Sequence, residues 1–490
     1  MQADALRSRL EREGLLVRWP DGAPSVIPAV TTDSRHVEPQ ALFLAYVGTV
    51  SDGHAYVAAA ARAGAAFALV EREVPEAPIP QALVRDGKRA ASVAASAFFG
   101  NPADALVLLA VTGTNGKTTT VHILRHLFGD RAPAGSLGTL GAIDGQGQLL
   151  PTAGSLTTPG PVELHHALAL LRHSGVQTVA MEASSHSLDQ DRIAGLAFQA
   201  AVFTNLTRDH LDYHGDEAHY LAAKLKLDRY LAPGGFQVVN ADDPAWASLP
   251  ARAERISFGM RAPADVRADN IAGDRLGMRF RLVVRGASAP VTLPLLGTFN
   301  VENALGAAAA AVALGRNPED VAKRLCAAPQ VPGRMERLTD RPCVVLRDYA
   351  HTPDALDRAL AALRPLTKGR LVVVFGAGGD RDKGKRPLMG AIAARAADLS
   401  VVTSDNPRTE DPEQIMHEIE AGMGGTPHLR IVDRKAAVLR ALAIAKPEDV
   451  ILLAGKGHET YQVVGQEHVP LDEREIVAAA VGNANGEGVP

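Results

Sequence analysis

From Cys343 onward, short runs rich in valine and leucine alternate with longer amphipathic stretches, and this alternation limits the possible folds more than any other feature. The runs fall at 343–346, 370–375, 399–403, 429–432 and 450–453, with helical patterns at 353–363, 386–396, 412–423 and 434–444 between them. Strands separated by helices pair in parallel, so the region predicts a doubly wound α/β sheet. Ligands of such sheets bind beyond the carboxyl ends of the strands. The small, polar stretch 482–490 is expected to be disordered.

A less regular alternation precedes it. A strand at 105–111 leads through a glycine-rich turn into a helix at 118–128, with further strands at 178–181, 200–203 and 236–239. This predicts a mainly parallel sheet covered by helices. Residues 1–104 mix an apolar stretch at 41–47 with an alanine-rich helix at 56–63. Gly100-Asn101-Pro102 and Gln330-Val331-Pro332-Gly333 read as linkers. A chain of 490 residues is too long for one core. Three α/β domains are therefore expected, at 1–104, 105–332 and 333–490.

Composition excludes several classes. Lysine and arginine number 51 against 55 acidic residues, a net charge of −4, which is no footprint for nucleic acid or an anionic membrane. Aromatic residues make up 4%, too few for base-stacking platforms. The N-terminus lacks an apolar signal core, and the longest apolar run, 304–314, is too short to span a bilayer. Cys326 and Cys343 have neither metal nor redox spacing, and Cys343 reads as a buried structural thiol. A cytoplasmic, monomeric protein without membrane insertion is expected.

The turn Gly113-Thr114-Asn115-Gly116-Lys117-Thr118-Thr119 carries the first chemistry. Its glycines let backbone N–H groups converge on phosphate oxygens, at the positive end of the helix that follows. Lys117 would reach the β- and γ-phosphates of ATP, and the Thr118 hydroxyl would ligate Mg²⁺. Val111 stands where the usual pattern has its first glycine. The loop alone does not say what the ATP does, since kinases, switches and ligases all use such loops.

Glu182, after the strand at 178–181, stands where an acid can hold Mg²⁺. In Thr204–His214, His210 and His214 have an i, i+4 spacing that could clasp zinc on a helix, though no third ligand is evident. Lys224 and Lys226 on the next helix read as a solvated face.

TGTNGKTTT, EASSH, TNLTRDHLDYHG and HYLAAK, in this order and spacing, resemble the Mur ligase family over essentially the whole chain. The resemblance implies an N-terminal UDP-binding domain, a central ATPase domain and a C-terminal Rossmann-like domain. Glu182 and His210 match the family's Mg²⁺ ligands, with two metal sites implied. Lys224 matches a lysine carbamylated by CO₂, a change that replaces a cation by an anion able to bind Mg²⁺. Asn303, Arg334 and Asp348 match nucleotide-contacting positions, and His351 lies in the same motif as Asp348.

Substrate positions follow from the same resemblance. Ser34, with Thr49, Val50 and Ser51, matches the uridine pocket. Thr157, Thr158, Ser184, Gln190 and Arg192 match positions that hold a UDP-linked muramoyl dipeptide, although Leu156 stands where the family often has asparagine. Asp405-Asn406-Pro407-Arg408 resembles the motif of members that add meso-diaminopimelate. A guanidinium can grip that ligand's second carboxylate bidentately, which lysine lacks. Arg381, Gly455 and Glu459 match the remaining contacts, with Glu459 suited to an ammonium. GAGGD lacks the spacing of a dinucleotide fingerprint.

The resemblance thus implies an ATP-dependent amide ligase of peptidoglycan synthesis, acting through an acyl phosphate and bearing on cell shape and division. It also implies closure of the C-terminal domain. A lysine-adding member, a folylpolyglutamate synthetase-like ligase and a P-loop switch or assembly ATPase are the alternatives.

Overall fold

The computed structural model describes residues 1–49, 51–152, 156–261 and 263–484. Its first sheet contains β1 (Leu16–Arg18), β2 (Val30–Thr31), β3 (Leu42–Leu44), β4 (Phe67–Val70) and β5 (Gln81–Val84), in the order β1-β5-β4-β3-β2. All neighbours are parallel except β1 and β5. The apolar stretch at 41–47 yields only a three-residue strand. Beyond it the chain turns outward to polar loops.

The central sheet contains β6 (Val107–Thr112), β7 (Ala134–Gly138), β8 (Gly141–Ile143), β9 (Thr178–Glu182), β10 (Phe198–Phe203), β11 (Leu231–Asn240), β12 (Glu254–Gly259) and β13 (Val266–Asp274). Their order is β13-β12-β11-β10-β6-β9-β7-β8. Every residue of β9 is buried, as is all of β6 after Val107. Such continuous apolar runs belong to parallel strands covered on both faces. The strand that ends in Glu182 pairs directly with β6, with Val111 opposite Glu182, and on the other side Thr112 lies opposite Phe203. Three strand ends therefore deliver the glycine loop, Glu182 and Thr204 to one edge.

Two further strands, β14 (Gly277–Val284) and β15 (Ala287–Leu293), precede the Thr298–Ala313 helix. The last sheet contains β16 (Glu336–Thr339), β17 (Val344–Asp348), β18 (Leu371–Phe375), β19 (Leu399–Val402), β20 (Leu429–Arg430) and β21 (Val450–Ala454), ordered β16-β17-β21-β18-β19-β20. All its pairs are parallel except β16 with β17. The helices Pro353–Leu363, Lys385–Ala396, Pro412–Glu420 and Arg434–Ile444 alternate with these strands, as the sequence pattern predicts. A hairpin of β22 (Tyr461–Val464) and β23 (Glu467–Pro470) follows.

The chain divides into two compact units. One holds residues 1–269, 282–289 and 302–325; the other holds 270–281, 290–301 and 326–490. The expected disorder from Gly482 is corrected in part. The Glu473–Ala484 helix carries through Gly482, and residues 485–490 lie outside the described residues. Cys343 is buried, as expected, and Cys326 is exposed. No helix among the described residues is long and apolar enough to cross a membrane.

Candidate active site

β6 ends at Thr112, and the chain turns at once into the Lys117–Phe128 helix. Gly113 and Gly116 hold φ of +145° and +85°, where a side chain is strained. Space forbids one as well. A Cβ on Gly113 would strike the Thr204 hydroxyl, and one on Gly116 the Asn303 amide oxygen. The loop is pinned from β10: Thr204 Oγ1 donates to the Asn115 carbonyl (2.7 Å), and Asn115 N–H donates to Asn205 Oδ1 (2.9 Å). Lys117 Nζ donates to the carbonyls of Gly113 (3.0 Å) and Thr114 (2.8 Å). Thr118 and Thr119 are buried in the first helical turn, and Gly116 supplies no side-chain cap to it. Orphan amides at such an end suit an anion.

Lys224 corrects the expectation of a solvated face. It lies near the end of the Glu217–Leu225 helix, 1% exposed, with Nζ donating to the Gly113 carbonyl (2.7 Å) and 4.5 Å from the centre of the Tyr220 ring. Burial, and then the charge of Lys117, hold its pKa well below the ordinary lysine value. Tyr220 in turn reaches the loop through a 3.1 Å hydrogen bond with Thr114 Oγ1. Lys226 begins a separate 3-10 turn and pairs with Asp189 at 2.7 Å.

Glu182 is 2% exposed and accepts from Thr139 N–H (2.8 Å) and Thr139 Oγ1 (3.2 Å). The absence of a side chain at Gly138 makes room for its carboxylate. The helical zinc pair is not formed. His210 sits at φ +52° before the four-residue Leu211–His214 helix, with its ring 4.8 Å from that of His186. His214 Nε2 lies 3.0 Å from Ser185 Oγ. Burial, reinforced by His210 and His214, pushes the His186 pKa down to about 4. Among the described residues, no three His, Cys, Asp or Glu side chains are grouped to hold a metal. Glu182 and His210 alone make a sparse donor set for a cation beside the two lysines, and a lowered pKa favours the uncharged, nucleophilic form of the Lys224 amine.

Beside the imidazoles, the positions that the resemblance matches to the dipeptide join into one network. Thr158 Oγ1 donates to the Glu182 carbonyl (2.8 Å) and accepts from Ser184 N–H (3.1 Å). Arg192 donates to the Thr158 carbonyl (2.9 Å) and, through Nε and Nη2, to Gln190 Oε1 (2.9 and 2.7 Å). Gln190 Nε2 donates to the Tyr213 hydroxyl (3.0 Å), which donates to Asp189 (3.1 Å). Thr157 lies 3.5 Å from Thr139 Oγ1. Asn205, Tyr213 and Tyr220 lie within the quoted motifs and Thr139 in none; sequence reasoning singled out none of the four, and only the folded chain shows their contacts.

Ser34 lies in a turn where Asp33 accepts from Arg35 and His36. The Arg35 guanidinium holds the Asp33 carboxyl well below the usual range. Thr49 and Ser51 are exposed in the loop after β3, while Val50 lies outside the described residues. β2 and β3 are parallel neighbours, so both loops leave the same sheet edge.

In the second unit, the loops after β18, β19 and β21 converge. Arg408 sits at φ +51° and donates to the Gly379 carbonyl (2.7 Å). Its backbone bridges to Val464 of the hairpin. Asn406 Nδ2 donates to Glu459 Oε2 (2.9 Å). Gly455, at φ +113°, leaves room for the Asp405 carboxylate. The Pro407 carbonyl lies where a Cβ on Gly379 would fall, and Arg381 is exposed, its Cγ 3.9 Å from where a Cβ on Gly378 would lie. Lys456 is fully buried, with Nζ 2.7 Å from Asn406 Oδ1 and 2.6 Å from Glu459 Oε2. Near β17, the Arg334 guanidinium lies 4.8 Å from the centre of the Tyr349 ring. Asp348 accepts from Met335 N–H (2.7 Å), and desolvation, opposed by Arg334, lifts its carboxyl to about 6. His351 is exposed, with Nδ1 2.8 Å from the Tyr349 carbonyl.

Three family models match the chain in succession: the Mur ligase family catalytic domain at 26–101, the Mur ligase middle domain at 111–311, and the Mur ligase glutamate ligase domain at 333–457. A protein of Gloeobacter violaceus named UDP-N-acetylmuramoyl-L-alanyl-D-glutamate–2,6-diaminopimelate ligase is 43% identical over 497 residues, covering 100% of both chains. The chain belongs to the Mur ligase family. A Geobacillus kaustophilus relative of the same name is 42% identical, over 94% of this chain and 96% of its own. A solved structure titled as that ligase matches this Mur ligase with a TM-score of 0.67 and 32% identity, covering 94% of this chain and 95% of that one. The three-domain α/β architecture is that of the family.

Proposed function

We propose that this Mur ligase joins meso-diaminopimelate to UDP-N-acetylmuramoyl-L-alanyl-D-glutamate, with ATP as the energy source, in the cytoplasmic phase of peptidoglycan synthesis. The names of its full-length relatives agree with this reading. The observation that carries it is the convergence of Arg408, Asn406 and Glu459 at the carboxyl edge of the last sheet. A guanidinium and a carboxylate there suit a ligand bearing both carboxylate and ammonium ends.

The glycine loop and Lys117 hold the ATP phosphates, and Asn303, Arg334 and Asp348 contact the nucleotide. Ser34, Thr49, Val50 and Ser51 take the uridine end, and Thr157, Thr158, Ser184, Gln190 and Arg192 orient the dipeptide. Its terminal carboxylate attacks the γ-phosphorus and ADP leaves, giving an acyl phosphate. The amine of diaminopimelate then attacks the acyl carbon, loses a proton, and expels phosphate. Lys117 stabilises charge on the transferred group, and the protein mainly positions its reactants. In its uncharged form, which the lowered pKa favours, the Lys224 amine would add CO₂ and release a proton to become a carbamate. Thr118, Glu182, His210 and that carbamate would hold Mg²⁺ at two sites, where it would neutralise phosphoryl charge.

ADP release is expected only when the UDP-linked dipeptide and an amino acid are both present. Release that is independent of the dipeptide would overturn the ligase reading and favour a switch or assembly ATPase.

A further inference from the structure

Lys456 has no part in the reaction as described, yet it stands at the centre of the amino-acid cluster. Its ammonium is fully buried at the end of β21 and meets two acceptors, Asn406 Oδ1 (2.7 Å) and Glu459 Oε2 (2.6 Å). Asn406 Oδ1 also accepts from Val463 N–H of the hairpin (2.9 Å). Two donors on that oxygen fix the amide's orientation, so Nδ2 faces Glu459 and donates to Oε2 (2.9 Å). Lys456, Asn406 and Glu459 thus form a closed triangle in which both donors to the carboxylate use the same oxygen. The other oxygen, Oε1, has no hydrogen-bond partner among the described residues and is not sealed from solvent. Glu459 itself keeps 17% of its side chain exposed, whereas Lys456 keeps none.

A buried ion pair is a poor device for stability alone, because an apolar pair of similar volume often does as well. Here the pair does something an apolar one cannot. It pins one edge of a carboxylate and leaves the other edge aimed and open. The Gly455 and Gly457 backbones permit the close approach this needs: Cβ atoms there would meet the Asp405 carboxylate and the Tyr349 ring.

We propose that Lys456 is a positioning and specificity-determining residue, which orders Asn406 and Glu459 so that Glu459 Oε1 receives an ammonium group of the incoming amino acid. The inference rests on the proposed amino-acid site. Without Lys456, Asn406 and Glu459 remain but lose their fixed orientation, and the cost falls on amino-acid binding rather than on nucleotide binding.

The test is steady-state kinetics of the full chain, native and Lys456→Met, with melting midpoints recorded alongside. The native protein is first assayed with meso-diaminopimelate, L-lysine and L-ornithine. If it does not use diaminopimelate, the substrate reading fails, and the variant is then read on whichever amino acid the native protein accepts. Lys456→Met is expected to raise the KM for that amino acid at least about 10-fold, with the KM values for ATP and the UDP-linked dipeptide changed less than about twofold. Equal rises in all three KM values, or none, would overturn the inference. If Lys456→Met is not recovered folded, Lys456→Arg and Lys456→Gln replace it. The arginine variant is expected to retain the lower amino-acid KM, and equal values in the two variants would likewise overturn it.

Discussion

At position 224 a lysine on an alanine-flanked helix reads as solvated, yet its Nζ is buried against the carbonyl of Gly113. The reason is tertiary. The helix packs its last turn beneath the phosphate loop, and only the fold reveals which face is covered. Lys224→Arg places a guanidinium there that cannot form a carbamate. It is expected to lower kcat by at least about 100-fold, the scale of losing one charge-stabilising group. Incubation of the native protein with ¹³C-bicarbonate should give a carbamate carbonyl resonance that the variant lacks; a resonance of equal intensity in both would refute the assignment. Tyr213 lies within a quoted motif, yet nothing in the sequence gives it a role. Its hydroxyl donates to Asp189 and accepts from Gln190, which turns the Gln190 carbonyl toward Arg192. Tyr213→Phe removes that directionality, at a cost of about 1 kcal/mol. The expected result is a KM for the UDP-linked dipeptide raised about fivefold, with that for ATP unchanged. An unchanged dipeptide KM would contradict the network.

Among elements, those with continuous apolar runs were the most legible. β18 and β21 are buried throughout, so their sequences show little but valine, leucine and other apolar residues. β13, β15 and the β22–β23 hairpin were not legible, because polar and exposed residues interrupt them. The hairpin matters to the site, since Val463 and Val464 brace Asn406 and Arg408. Helix packing carries a pH-dependent prediction. His165, on the Pro161–His173 helix, is fully buried with Nε2 3.4 Å from Ser92 Oγ of the Gly87–Phe98 helix. Burial pushes its pKa down to about 3. Between that value and the ordinary 6.5, the unfolded chain binds a proton that the folded chain does not. This contribution is therefore fully present above pH 6.5 and is lost as pH falls toward 3. His165→Gln should reduce the loss of unfolding free energy between pH 7 and 4.5 by on the order of 2 kcal/mol. Equal losses in variant and native protein, measured by denaturant titration, would contradict it.

For the whole molecule, the alternation from Cys343 onward was enough to predict the last sheet and the edge at which its loops meet. The phosphate loop was legible because its glycines, lysine and threonine are contiguous. The proposed dipeptide and amino-acid sites were not legible from spacing, because each draws on loops far apart in sequence. They became so only through resemblance. The compact units also cut across the sequence blocks at β13–β15, where β13 and β15 carry no apolar run to mark them. At this scale the choice of amino acid turns on Arg408. Arg408→Ala should raise the KM for meso-diaminopimelate at least about 30-fold, as expected when a charge-assisted contact is removed, and leave that for ATP within about twofold. The most direct test is competition in one vessel, with ATP, the UDP-linked dipeptide and equal concentrations of meso-diaminopimelate and L-lysine, read by mass spectrometry of the products. The account predicts the diaminopimelate tripeptide in large excess. Lysine incorporated equally or preferentially would contradict it.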